Sequence, residues 1–124
     1  MSAKNKKQFG VWMDSHNATI VGKENNEETF IVLGHVKNSG PDNNSNENAS
    51  NNQEAALTQK YFKHIAAIMP NVEQIHITGT GQIQEQFIKF LSETPQYKNA
   101  SASDSTSNKM SDESLIGYIT QHFN

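Results

Sequence analysis

The sequence contains no cysteine and no arginine among its 124 residues. Without cysteine there is no disulfide framework, no thiolate nucleophile, no cysteine-ligated zinc site and no iron–sulfur cluster. Without arginine the chain lacks the bidentate guanidinium donors that commonly anchor phosphates. Its 10 basic residues, all lysine, stand against 13 carboxylates and give a net charge of -3. Because no global basic field is present, a contact with nucleic acid has to be local, and DNA binding is not expected.

Long apolar segments are also missing. The longest uninterrupted apolar run, residues 65–69, falls far short of the roughly 20 residues that cross a bilayer. The lysines near the N-terminus are not followed by the apolar segment of a signal peptide. We therefore expect no membrane association and a cytoplasmic location. The length leaves room for one domain, residues 1–124, in which residues 1–8 are expected to be a flexible N-terminus.

Asparagine is the most over-represented residue, and it is concentrated in residues 38–53. This segment holds seven asparagines in sixteen positions, and Ala49 is its only apolar side chain. Since it has so little apolar surface to offset the entropy of ordering, we predict a mobile surface loop. A structureless loop of this length inside a compact domain is often functional, although a tolerated insertion explains it equally well.

Before the Asn-rich segment the pattern is that of β-structure. Aromatic and β-branched residues separated by polar turns predict three consecutive antiparallel strands, over residues 9–14, 18–22 and 28–33. In the first and third strands, apolar residues occupy both alternating sets of positions, which indicates a sheet covered on both faces.

After that segment the hydrophobic period changes. Apolar residues recur at intervals of three and four from about Gln53 to Pro70, which predicts a helix. A buried strand over residues 72–78 then leads through a glycine turn into a second helix. A poor edge strand over residues 97–103 and a last helix with Ser111 as its N-cap complete the pattern.

The order β-β-β-α-β-α-β-α predicts an α/β (mixed α+β) fold. We expect one mixed five-stranded sheet with helices on both faces, which is the layout of ribonuclease-H-like folds.

This order and three local segments resemble a known family. Residues 11–20 look like its opening hairpin, residues 75–81 like its glycine turn, and residues 108–111 like the entry to its last helix. The family is the central (second) domain of eukaryotic and archaeal class I peptide-chain release factors, together with the related domain of Pelota-type factors. The resemblance implies a stand-alone bacterial-type relative with a translation-related role and the ribosome or RNA as its partner.

In release factors, the segment before the first helix carries a Gly-Gly-Gln tripeptide that acts in peptide release. The matching positions here are Asn51, Asn52 and Gln53, so the glutamine is present and both glycines are missing. Glycine adopts backbone conformations that other residues reach at a cost of about 1 kcal/mol or more each. The resemblance therefore favours a non-catalytic protein over an enzyme, with residues 51–53 as a candidate functional loop and no cofactor.

The glycine turn is the second candidate site. Gly79, Thr80, Gly81 and Gln82 join a strand to a helix, where free backbone amides and the helix dipole favour a phosphate or RNA. Lys98 and Lys109 are candidates to add positive charge there. A tight turn whose glycines serve close packing is the alternative interpretation. The alternative function is a small phosphate- or nucleotide-binding module, or a protein-interaction module, of the same fold.

Other chemistry finds less support in the sequence. Asp14 is placed as the first acid of a two-metal nuclease would be, but the fourth strand supplies no matching acid, so a turn carboxylate that accepts backbone amides is the better interpretation. His76 lies between two isoleucines and is interpreted as a hydrogen-bonded core imidazole. No metal site is expected, and the oligomeric state stays open.

Overall fold

The structure, a computed structural model, describes residues 7–23, 29–38 and 47–123, with residues 47–55 as backbone only. Its eight elements follow the predicted order. They are β1 (Gln8–Met13), β2 (Asn17–Gly22), β3 (Ile31–Lys37), α1 (Glu47–Ala67), β4 (Gln74–Gly79), α2 (Ile83–Glu93), β5 (Ser101–Thr106) and α3 (Asp112–Phe123).

The five strands form one mixed sheet in the order β3-β2-β1-β4-β5. β1 pairs antiparallel with β2, and β2 antiparallel with β3. β4 lies parallel to β1, and β5 lies parallel to β4. The predicted mixed five-stranded α/β architecture is therefore confirmed.

Each face of the sheet is covered by helix, because side chains alternate between the two faces along a strand. Val11 and Met13 of β1 point into the larger core, where α1 and α2 pack. There the Phe62 ring lies 5.2 Å from that of Phe87. Trp12, between them in sequence, belongs to the second core under α3. The second core consists of Trp12, Val21, Phe30, Leu115 and Ile119. The predicted helices on both faces are thus confirmed.

Helix α1 begins earlier than predicted. It starts at Glu47 rather than near Gln53, so residues 47–53 of the predicted loop have helical backbone. The apolar spacing that reveals a helix begins only at Leu57, and the polar turns before it carry no such signal. Residues 39–46 of the predicted loop lie outside the described residues.

The strand boundaries also differ from the sequence prediction, most of all at β3 and β5. β5 covers Ser101–Thr106 instead of residues 97–103, and β3 runs on through Gly34 to Lys37. β1 begins at Gln8, and the Lys7 carbonyl accepts the amide of Gln74 at 3.0 Å, so the predicted flexible N-terminus is shorter than eight residues. Residues 1–6 of it lie outside the described part. β5 was misplaced because its six residues show no apolar alternation.

In the described ranges, no helix is both long enough and apolar enough to cross a membrane.

Candidate functional site

The glycine turn lies at the carboxyl end of β4, directly beside the carboxyl end of β1. Gly79 pairs in register with Met13, and its carbonyl accepts the amide of Ser107 at 2.7 Å. A Cβ atom at Gly79 would overlap the carbonyl oxygen of Met13. Only glycine permits this approach of the two strands, so the close-packing interpretation holds at Gly79.

The amides of this turn are less available than the sequence suggests. The backbone N–H of Gly81 donates to Oε1 of Gln84 at 3.1 Å. Gln84 is only 1 % exposed, and its own amide nitrogen donates to the carbonyl of Ser105 at 3.0 Å. The predicted free amide at Gly81 is therefore wrong, because a buried glutamine occupies it. Thr80, Gly81 and Gln82 remain exposed, and Gln82 caps α2 without a side-chain hydrogen bond.

The turn after β1 lies at the same end of the sheet. Oδ1 of Asp14 accepts the backbone amides of His16 at 2.8 Å and Asn17 at 2.7 Å, as the sequence predicted for a turn carboxylate. The Tyr61 hydroxyl donates to the Asp14 carbonyl at 2.8 Å. Burial, followed by the nearby Asp14 charge, raises the pKa of Tyr61 above its ordinary value, so the phenol stays a donor at neutral pH.

Helix α1 is anchored at both ends of the sheet, which fixes its direction. Tyr61 bonds to the carboxyl end of β1, and the carbonyl of Ala66 accepts the Tyr97 hydroxyl at 3.2 Å, just before β5 begins. The helix therefore descends from the carboxyl to the amino end of the parallel strands. At 1.5 Å per residue, the eight residues from Tyr61 back to Gln53 carry the backbone of residues 51–53 about 12 Å further out. Those three residues share the end of the sheet with Gly79.

The two predicted lysines lie at opposite ends of the sheet. Lys98 precedes Ser101, which pairs with Gln74 at the start of β4, so it lies about 20 Å from the glycine turn. Lys109 lies at the carboxyl end of β1. It follows Asn108, whose carbonyl accepts the indole N–H of Trp12 at 3.2 Å. The sequence grouping is thus corrected: Gly79, Thr80, Gly81, Gln82, Lys109 and residues 51–53 share one end, and Lys98 does not.

A polar cluster between β4, β5 and α3 was only partly foreseen. The predicted hydrogen-bonded core imidazole is confirmed: Nδ1 of His76 lies 2.8 Å from Oγ of Ser103, and Nε2 lies 2.9 Å from Oγ of Ser105. The Ser105 hydroxyl also lies 2.6 Å from the Tyr118 hydroxyl and 3.0 Å from that of Thr78. The misplaced β5 hid these partners, because their register with His76 depends on the true strand limits.

The electrostatics of the cluster favour a neutral imidazole. Burial, and then the neighbouring His122, lower the pKa of His76 from 6.5 to about 4, while Asp104 acts in the opposite direction. A serine hydroxyl beside an imidazole is the arrangement of an activated nucleophile. Here, however, two further hydroxyl groups engage Ser105, so the cluster serves as a structural network.

The described residues leave no unpaired buried side-chain polar atom and no group of three potential metal ligands. In the part of the chain that the structure covers, the polar interior is therefore satisfied by the chain's own groups.

Comparison with known proteins gives a structural likeness only. No protein-family model and no curated protein matches the chain by sequence. The Pelota protein of Thermoplasma acidophilum superimposes with a TM-score of 0.60 at 19% identity, covering 93% of this chain and 32% of that one. The Pelota protein of Archaeoglobus fulgidus gives 0.59 at 13%, covering 98% and 36%. An archaeal translation termination factor gives 0.59 at 10%, covering 93% and 34%.

The fold is that of a Pelota-like domain. The resemblance drawn from the sequence is therefore confirmed in fold. The chain spans about a third of the length of these solved proteins. The expectation of a stand-alone bacterial-type relative stays a prediction.

Proposed function

We propose that this chain is a non-catalytic, cytoplasmic, translation-related protein that contacts the ribosome or its RNA. The observation that carries the proposal is the fold: three solved structures, one of them a translation termination factor, superimpose on more than nine tenths of the chain.

The non-catalytic part of the proposal rests on residues 51–53. The positions that the sequence resemblance matches to the Gly-Gly-Gln tripeptide read Asn51, Asn52 and Gln53. Two asparagines at these positions make the glycine-specific backbone conformations costly, by about 1 kcal/mol or more each. The helical backbone over the same residues supports a contact role rather than the positioning of a reacting water.

The contact surface proposed lies at the carboxyl end of the parallel strands β1, β4 and β5. It combines the exposed turn residues Thr80, Gly81 and Gln82 with Lys109 and the outer turns of α1. This end offers the uncapped amides of the first turn of α2, which favour anionic groups such as RNA phosphates. Lys98, at the other end, is left out of this surface and supplies a matched control.

Sedimentation with ribosomes on a sucrose gradient tests the proposal. We expect the full chain to move with the ribosomal particles at low salt and to be released as salt rises, because the contact is electrostatic. Lys109→Gln should weaken co-sedimentation, and Lys98→Gln should not. A protein that stays at the top of the gradient at low salt would overturn the proposal.

A separate assay addresses catalysis. In the presence of the protein, ribosome-bound peptidyl-tRNA should be cleaved no faster than by spontaneous hydrolysis. Cleavage above that rate that disappears in Gln53→Ala would contradict the non-catalytic role, whatever the gradient shows.

A further inference from the structure

Strand β5 is the last strand at one side of the sheet in the part of the chain that the structure describes. An edge strand carries a row of unpaired backbone amides and carbonyls, which proteins commonly protect with a proline, a lysine or a β-bulge. β5 reads Ser-Ala-Ser-Asp-Ser-Thr and keeps an unbroken register with β4 from Ser101 to Thr106. It therefore has none of these three protecting features.

The outward backbone groups of β5 belong to alternate residues. The amide of Ser101 donates to the Glu73 carbonyl at 2.9 Å, and the amide of Ser107 donates to the Gly79 carbonyl at 2.7 Å. Because the backbone groups of successive residues point to opposite sides of a strand, the odd-numbered residues bond toward β4 and the even-numbered residues face outward. The even-numbered residues are Ala102, Asp104 and Thr106, and all three are exposed.

The opposite edge of the sheet, β3, is built differently. Its pairing with β2 shifts register between Ile20 and Val21, and the strand ends in Lys37. A register shift and a terminal lysine are features that discourage pairing with a further strand. Of the two edges, β5 is therefore the one suited to accept another strand.

A second copy of β5 can pair with the first about a two-fold axis perpendicular to the sheet. Such an axis keeps each face of the sheet on its own side, and directly opposed residues share a face, so the axis has to pass beside a single residue. Only Ser103 and Asp104 lie at the middle of β5, where the two strands overlap over nearly their whole length.

Charge distinguishes these two registers. Asp104 is the one charged residue of β5. An axis at Asp104 would set two carboxylates directly opposite each other, which is unfavourable. An axis at Ser103 sets Asp104 opposite Ala102 of the second copy. The Ser103 register is therefore the favoured one.

The outward groups match each other in the Ser103 register. The amide of Ala102 meets the carbonyl of Asp104 in the second copy, and the amide of that Asp104 meets the Ala102 carbonyl. The two-fold axis repeats this pair of hydrogen bonds on its other side. The edge is thus self-complementary, and this complementarity favours a second copy over an unrelated strand.

We propose that the β5 edge pairs antiparallel with the β5 edge of a second copy of this chain, about an axis at Ser103, and joins two five-stranded sheets into one. A six-residue strand is about 20 Å long, so the pairing buries far less than the roughly 800 Å² per partner of a stable interface. The dimer is therefore weak, with a Kd on the order of 0.1 mM. The proposal does not rest on ribosome contact, since it concerns the outer side of β5 and not the turn before α2.

Cross-linking tests the position of the axis, because the chain contains no cysteine of its own. Opposed residues of a pair without mutual hydrogen bonds have Cα atoms about 4.5 Å apart, a distance that a disulfide spans. Ser103→Cys should therefore form a covalent dimer under mild oxidation. The two copies of residue 101 would lie about 13 Å apart along the strands, so Ser101→Cys should form at least about tenfold less dimer. Equal yields from the two variants would overturn the proposal.

A proline tests the backbone pairing. The Ala102 amide faces outward, where an edge strand accepts proline, so Ala102→Pro should block pairing and keep the bonds between β4 and β5. In sedimentation equilibrium up to about 1 mM, the unmodified chain should dimerise and Ala102→Pro should stay monomeric. Ile31→Lys, at the exposed isoleucine of β3, should dimerise like the unmodified chain. Circular dichroism checks the fold of both variants, and the cross-linking comparison does not depend on the proline variant.

Amide hydrogen exchange identifies the paired residues. From about 10 µM to about 1 mM chain, exchange at Ala102 and Asp104 should slow by about threefold or more, as the fraction of monomer falls. The Ser103 amide, which bonds toward β4, should exchange at the same rate at both concentrations. A chain that remains monomeric at about 1 mM would overturn the proposal, and so would a dimer that a folded Ala102→Pro variant retains.

Discussion

The imidazole of His76 stacks on that of His122, with ring centroids 3.9 Å apart and planes inclined by 27°. His76 belongs to the buried strand β4, and His122 lies in the last turn of α3. Both ring nitrogens of His76 also face serine hydroxyls of β5. A proton added to His76 would place a positive charge against the ring of His122 and deprive one serine of its acceptor.

Stability should therefore depend on pH through His76. Its pKa is about 4 in the folded chain and 6.5 as the ordinary value, so the unfolded chain binds more protons between these limits. The contribution is fully present above about pH 6.5 and is lost as the pH falls toward 4. The free energy of unfolding should fall by about 2 kcal/mol between pH 7 and pH 4.5, as measured by urea unfolding.

Carboxylates also titrate in this range, so a variant is needed to isolate the imidazole. His76→Gln keeps a polar side chain in contact with the serines and removes the titration; the loss of stability between pH 7 and pH 4.5 should shrink markedly. His16→Gln, at an exposed turn position, should retain the full loss. If both variants keep the same pH dependence as the unmodified chain, the lowered pKa of His76 is wrong.

The two serines that face His76 should contribute unequally to stability. Ser105 places its hydroxyl within 3.0 Å of His76, Thr78 and Tyr118. Ser105→Ala removes all three contacts and should lower the free energy of unfolding by about 1–3 kcal/mol, because buried partners lose their hydrogen bonds. Ser103→Ala, at an exposed residue with one contact, should cost under about 1 kcal/mol. Equal losses in urea titrations would contradict the central role of Ser105.

The outer anchor of α1 can be tested through Tyr61. Its ring is 1 % exposed, and its hydroxyl donates to the Asp14 carbonyl. Tyr61→Phe preserves the packing and deletes the hydrogen bond, so we expect a loss of about 0.5–1.5 kcal/mol in thermal or urea unfolding. Lys60→Gln, one residue earlier and exposed, should change the stability by less than about 0.5 kcal/mol. A stability unchanged by Tyr61→Phe would show that the helix is held by packing alone.

The fold was predictable because apolar spacing changes where the structure changes. Apolar residues within 57–69 recur at helical intervals, and the strands of the first third are rich in aromatic and β-branched residues. Where apolar residues are missing, the predicted limits of the helix or strand are wrong. The polar first turns of α1 gave no signal. The hydroxyl-rich β5 contacts His76, Thr78 and Gln84 through Ser105, and the sequence does not display these contacts.

The candidate site was predictable only in part for the same reason. The strand-turn-helix order placed Gly79 correctly at the end of a strand, but it did not show that Gln84 reaches back to the Gly81 amide. Lys98 was assigned to the wrong end because hydrophobic spacing does not give the direction of β5, which runs parallel to β4 and starts at the end opposite Gly79.

The two glycines of the turn provide a matched pair for a final test. Gly79→Ala would place Cβ against the Met13 carbonyl oxygen, a backbone atom that moves only if β1 and β4 separate. We expect a loss of about 2 kcal/mol or more, as for an overpacked core position. Gly81→Ala meets nothing within 4 Å and should change stability by less than about 1 kcal/mol, in either direction. Urea midpoints of both variants compare them directly, and a Gly79→Ala protein as stable as Gly81→Ala would show that the two strands do not approach as closely as described.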